Sequence, residues 1–357
     1  MFKLNTLKLQ EMVAKAVKGA SCNKNIPRTE LMVIQLKDHK LTLITTDATN
    51  YLYVTEDKVD GDDFYVVVTI DQFSKLISRV TSEFVEFALK DDNLYVKGNG
   101  EYFFELPLDE EGKLIKLPDP LADVELKDVF ATVKLSTINT ILEVNKPSLP
   151  SDDKTPCFLG YYASDRVVTT NGYKMCGTKI HMFDTPVLIS VDMMDMLSVL
   201  TQEDIEVYKH DYTVVFKTDN CIVYGESLDC VDEYPIDAIH GMLDTEFEHT
   251  CKVDKGEILR VLDRLSLFVG KYDKKAIKLL FTKDGLSISS KQSTGKELIP
   301  YIESDNFTEF ACQIDIEMLQ AQIKSHAVDS IDIMYGNERF IKITEGNIVQ
   351  IIGLISD

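Results

Sequence analysis

The chain has 357 residues, is 45% hydrophobic, and sets 59 acidic against 38 basic residues for a net charge of −21. Its length and apolar content suit two or three packed domains, and no apolar run approaches the ~18 residues of a membrane helix. The seven cysteines are scattered, odd in number and form no C-x-x-C, so free thiols in a reducing compartment are expected rather than a disulfide framework. The N-terminus lacks a secretory h-region, which makes cytoplasmic residence the expectation.

In chain order, "LNTLKLQEMVAKAV" opens with a strand, Thr6 at an N-cap position and a helix over about 7–18. The segment from Val66 gives a strand, Asp71, a helix over 72–80, and then period-two strands through Val85, Phe87 and Leu89, with turns at "KDDN" and "GNG". A polar connector, 107–128, follows. From Val133 the same two half-patterns return: Ser136 before a helix over 137–146, an exposed loop at 145–156, Asp192 before a helix over 193–201, and alternation at Tyr212, Val214 and Phe216. A second connector spans 231–249. A third copy places Asp254 before a helix over 255–267 and Asp315 before one over 316–325, then alternates at Ile341 and Ile343. Asp71, Asp192 and Asp315 lie 121 and 123 residues apart, a spacing of domains rather than of solenoid units. Each repeat reads as β-α-β-β-β twice over: two helices on antiparallel sheet, an α+β fold.

No phosphate-binding, dinucleotide, nucleophile-elbow or zinc-protease motif is present, and the carboxylate pairs sit in turn-like contexts. His240, His249 and Cys251 are the nearest approach to a metal set, without its spacing. No catalysis, cofactor or metal is therefore expected. Charge is unevenly placed. The six expected helices hold ten basic against six acidic residues, a net of +4, which leaves −25 for the remainder. Lys24 and Arg28, and Lys271, Lys274, Lys275 and Lys278, add basic loops, whereas the helix at 193–201 has no base. An acidic total thus does not exclude a nucleic-acid face.

The triplicate pattern, the length, "TTNGYKM" (169–175) and "DEYPIDAI" (232–239) together resemble the bacterial sliding clamp, the β subunit of the replicative DNA polymerase, across the whole chain. The resemblance implies three clamp domains, 1–124, 125–246 and 247–357, forming half of a closed ring. A head-to-tail homodimer would encircle double-stranded DNA without sequence preference. It would hold the DNA polymerase and the clamp loader through short linear peptides, with no membrane partner. It further implies DNA contacts from Lys8, Lys15, Lys24, Lys75, Arg79, Lys146, Arg260 and Arg264. A peptide pocket would use Phe158, Thr170, Gly172, Tyr173, Lys174, Met175, Pro235, Ile239, Ile351, Ile352 and Leu354. The dimer seam would run from Phe103 and Phe104 to Leu267 and Phe268. Two departures bear on the peptide: the tail reads "IIGLISD", and Tyr173 stands where the family commonly has His. An acidic α+β scaffold, or a DNA mimic that does not encircle DNA, is the competing reading.

Overall fold

A computed structural model describes all residues except 91–92, 110, 123, 152–153, 271–274, 292–293 and 356–357. Lys271, Lys274 and the centre of "KDDN" therefore lie outside the described residues. In chain order the elements are β1 (Phe2–Asn5), α1 (Thr6–Ala16), β2 (Leu31–Lys37), β3 (Lys40–Thr46), β4 (Tyr51–Glu56), β5 (Phe64–Thr69), α2 (Ile70–Ile77), β6 (Phe84–Lys90), β7 (Asn93–Lys97) and β8 (Glu101–Glu105). There follow β9 (Ala131–Lys134), α3 (Leu135–Asn145), β10 (Gly160–Ala163), β11 (Val167–Thr170), β12 (Lys174–Thr178), β13 (Val187–Ser190), α4 (Val191–Leu197), β14 (Asp204–His210), β15 (Thr213–Lys217) and β16 (Cys221–Glu226). The last part holds α5 (Ile236–Leu243), β17 (His249–Asp254), α6 (Lys255–Ser266), β18 (Ala276–Thr282), β19 (Gly285–Ser290), β20 (Lys296–Ile299), β21 (Glu303–Asp305), β22 (Phe310–Asp315), α7 (Ile316–Ser325), β23 (Ser330–Tyr335), β24 (Phe340–Glu345) and β25 (Ile348–Gly353). The fold is α+β, and among the described helices and strands β-α-β-β-β recurs six times, interrupted by α5 and β21.

The chain forms two compact units, residues 1–138 with 192–227, and residues 139–191 with 228–357. In the first, an eight-stranded sheet runs β5-β2-β3-β4-β16-β15-β14-β9 beside a four-stranded sheet β1-β6-β7-β8. In the second, a nine-stranded sheet runs β13-β10-β11-β12-β25-β24-β23-β17-β21 beside a four-stranded sheet β20-β19-β18-β22. The large sheets are continuous because β4 pairs antiparallel with β16 (Leu52 opposite Val223) and β12 with β25 (Met175 opposite Ile351). Each such seam spans a distance in sequence that the expected boundaries at 124/125 and 246/247 would separate.

The helices bury the stripe that their periodicity marks. α1 hides Leu9, Met12, Val13 and Ala16, and α2 hides Ile70, Phe73 and Ile77. In the second unit Ile258, Val261, Leu262 and Leu265 of α6 meet Leu319 and Ile323 of α7 over Ile277, Leu279, Phe281, Ile333 and Ile352. Burial of such side chains contributes about 1.5–3 kcal/mol each relative to exposure. A satisfied polar network fixes the second unit's centre. The Gln350 amide donates to Val144 O and Ser325 Oγ, and its Oε1 lies 2.9 Å from His326 Nε2.

The capping pattern needs correction. Asp254 and Asp315 do cap α6 and α7, accepting from Glu257 N and from Glu317 N and Met318 N. The cap of α1 is Asn5, accepting from Leu7 N and Lys8 N, while Thr6 is already helical and donates to Ser82 O. Asp71, Ser136 and Asp192 likewise fall one or two residues inside their helices, which begin at Ile70, Leu135 and Val191. Asp71 there meets Lys75 at 2.6 Å. An acid inside the first turn still favours the positive end of the helix dipole, so the sequence signal survives a shift of register. The second connector is also more ordered than its polarity suggests, since it contains α5.

Candidate functional sites

One apolar cluster in the second unit gathers four of the eleven residues expected for peptide binding. Phe158, Met175, Ile239 and Ile351 share it with Tyr162, Val168, Tyr234, Leu243 and Phe340. The segment "TTNGYKM" forms the β11–β12 turn. Asn171 Oδ1 accepts from Tyr173 N and Lys174 N, each at 2.9 Å, while Thr170 Oγ1 accepts from Gly172 N at 3.0 Å and donates to Lys174 O at 2.9 Å. Gly172 has φ +86°, a left-handed conformation that glycine adopts without a Cβ penalty. This tight turn leaves Tyr173 73% exposed. Lys174 is half-buried, and burial lowers its pKa against the opposing pull of Asp315.

The β pleat divides the C-terminal residues. Ile351 faces the cluster, whereas Ile352, opposite Lys174 on β12, points to the helix-side core, and Leu354 packs on that same core. Pro235 is exposed and opens α5, its carbonyl accepting from Ile239 N at 3.1 Å. Thr170 is buried.

Sequence reading missed Tyr234, Leu243 and Lys342. Tyr234 stacks on Tyr162 with ring centroids 5.1 Å apart and meets Phe158 edge-on at 5.9 Å. Burial pushes its phenol well above the usual range. Its signal was present inside "DEYPIDAI", masked by the acids around it. Lys342 is buried, and its ammonium donates to Leu243 O at 2.9 Å and also to Thr245 O, closing the C-terminal end of α5. Burial lowers its pKa, partly offset by Asp244. Arg166 holds Asp244 at 2.8 Å, which keeps that carboxyl below its ordinary range. These two latches position Ile239 and Leu243, and nothing in a one-dimensional pattern marks them.

The eight expected basic residues lie on or beside the helices, four of them beside acids. Lys8 meets Glu56 at 2.9 Å, Lys15 meets Glu11 at 2.9 Å, and Lys75 meets Asp71. Arg264 grips Glu297 with two bonds of 2.9 and 2.5 Å. Lys24, Arg79, Lys146 and Arg260 are exposed. Of the residues expected at a seam, Phe103 on the open edge strand β8 is 58% exposed, but Phe104 is 6% exposed and packs on Phe73 at 5.8 Å. Leu267 and Phe268 follow α6, 82% and 53% exposed. Phe268 also adjoins Gly295, where an added Cβ would lie 3.2 Å from its ring, at the start of β20. Among the described residues no set of His, Cys, Asp or Glu is grouped to hold a metal, and no helix is long and apolar enough to cross a membrane.

This architecture defines the chain as having the sliding-clamp fold. It is similar over 100% of its length to 99% of the DNA polymerase sliding clamp of Bacillus subtilis, with TM-score 0.84 and 18% identity. The β subunit from DNA polymerase of Streptococcus pyogenes matches with TM-score 0.84 and 16% identity over 100% of both chains, and DNA polymerase III subunit beta of Borrelia burgdorferi with 0.84 and 18% over 99% of both. No family model and no curated relative matches the sequence. At these identities the likeness establishes the fold.

Proposed function

We propose that the chain is a DNA sliding clamp, a processivity factor without catalytic activity. Two copies close head to tail into a ring of six similar domains, 1–124, 125–246 and 247–357 in each. The ring encircles duplex DNA in the cytoplasm and tethers a polymerase to it. One observation carries the reading. The sheets are joined edge to edge twice within the chain, β4 to β16 and β12 to β25, and the same pattern leaves β8 and β20 unjoined. A second copy supplies the missing partner for each, which also removes two aggregation-prone edges.

A closed ring keeps its hold by topology, so its DNA contacts need only be loose. Lysine and arginine contacts to phosphate carry no sequence information and exchange with counterions, which lets the ring slide. Lys8, Lys15, Lys24, Lys75, Arg79, Lys146, Arg260 and Arg264 supply them, while the acidic remainder discourages DNA elsewhere. The cluster around Met175, Tyr234, Ile239 and Ile351, bordered by Tyr173 and Lys174, takes a short peptide from the polymerase or the loader.

The test compares retention of the protein on nicked circular and linear DNA in the presence of a matching loader. Retention on the circle and loss from the line are expected; equal retention on both rejects encirclement. An acidic scaffold or DNA mimic would instead bind basic proteins and fail to load.

A further inference from the structure

Of the six β-α-β-β-β repeats, the three that open the expected domains hold the same place in the pattern, and two of their sheet faces are covered. In the first unit, the face of β5-β2-β3-β4 that carries Leu31, Val33, Ile44, Tyr53 and Val67 is overlaid by Ile115, Leu117 and Leu121. Tyr53 Oη also donates to Asp119 at 2.8 Å. In the second unit, the face of β13-β10-β11-β12 carrying Tyr162, Val168, Met175 and Leu188 is overlaid by Tyr234, Ile239 and Leu243. Both covering segments are apolar and acidic: residues 107–122 contain four carboxylates and residues 228–248 contain seven.

The third such face, on β20-β19-β18-β22, has no comparable cover among the described residues. Leu354 and Ile355 reach its rim, where Ile355 N donates to Gln313 O at 2.9 Å. The register gives this face a shape. Lys278, Ser289 and Lys296 are successive cross-strand neighbours, and Leu280, Ser287 and Leu298 form the next row on the same face. The small serines of β19 make a floor between walls on β18 and β20, and the groove has a volume of about 690 Å³. Lys278, Lys296 and Leu298 are exposed. Neither lysine pairs with a carboxylate among the described residues, in a protein of net charge −21. Among the described residues, Glu338 is the one acid lining the groove.

We infer that this face docks an extended apolar and acidic segment of a partner protein, with apolar side chains over Leu280 and Leu298 and carboxylates on Lys278 and Lys296. The chain's own covering segments show the chemistry such a face accepts, and the unpaired lysines add charge complementarity. The clamp reading gives the free edge of β20 to a second copy, so the inference concerns the open face of this sheet and leaves that edge to the seam.

The probe is a fluorescein-labelled synthetic peptide with the sequence of residues 107–122, titrated with the full chain and read by anisotropy. A second peptide carries amides in place of its four carboxylates. Binding to the native chain is expected. The Lys278→Glu, Lys296→Glu double variant and the amide peptide should each weaken it about tenfold or more. Tyr173→Ala, at the other site, should leave it unchanged. Both lysines are solvent-exposed, so circular dichroism of the double variant should match the native chain. Absence of binding, or equal binding by the double variant, overturns the proposal, the latter by placing the peptide on the first unit's own face. A fall in light-scattering mass in the double variant also overturns it, by assigning the groove to a second copy.

Discussion

At the scale of single residues, the Arg264–Glu297 pair links the proposed DNA contacts to stability. Hydrogen bonding to Arg264 lowers the Glu297 pKa from its ordinary 4.5. A depressed carboxyl stabilises the fold fully above its unfolded pKa, and that contribution disappears as pH falls through the folded value. Both side chains are substantially solvent-exposed, so solvent screening keeps the gain small. Glu297→Gln should therefore be slightly less stable than the native chain near neutral pH, and the difference should vanish in acid, as read by urea unfolding across pH 3–7. The same substitution frees a guanidinium for phosphate. In anisotropy titrations with duplex DNA it should strengthen binding and steepen the log-affinity against log-salt slope by up to about 0.9 per chain. An unchanged slope would remove Arg264 from the DNA face.

At the scale of elements, the alternation of periods three to four and two made the helix and strand sequence legible. Leu9, Met12, Val13 and Ala16, or Ile258, Val261, Leu262 and Leu265, announce both the helix and its buried stripe. The peptide cluster was legible only through resemblance, and imperfectly. Ile351 and Ile352 are indistinguishable as letters, and only the pairing of β12 with β25 sends them to opposite faces. The connector at 231–249 hid α5 because the helix is short and is flanked on both sides by acids, Asp232 and Glu233 before it and Asp244, Glu246 and Glu248 after it. Its anchor is a lysine 99 residues away, Lys342, whose role no local pattern can carry. Lys342→Met should leave Leu243 O and Thr245 O without their donor, at a cost of about 1–3 kcal/mol. Thermal unfolding should report a lower midpoint, and hydrogen exchange should rise in 236–247 while the α6 and α7 amides stay protected. An unchanged exchange pattern would mean that α5 is held without this latch.

At the scale of the whole molecule, assembly rests on whether a third seam repeats the two that the chain makes within itself. Both internal seams are antiparallel and both carry apolar side chains alongside the joined strands. Tyr51 and Tyr224 meet edge-on at 6.1 Å beside β4 and β16, and Met175 lies opposite Ile351 across β12 and β25. On the strands left over, Phe103 of β8 and Leu298 of β20 are exposed at 58% and 51%. Such side chains on open strand edges are a liability unless a partner strand covers them. Phe103→Asp and Leu298→Asp should each leave the protomer folded, because neither side chain contributes to a core. Each should move the light-scattering mass from near twice 40.4 kDa toward 40.4 kDa, and each should abolish retention on circular DNA. The order of effects matters. A variant that stays dimeric would place the seam elsewhere, whereas one that becomes monomeric yet stays on circular DNA would show that holding the template does not depend on ring closure. Only joint loss of mass and of topological retention ties the open edges to the proposed function.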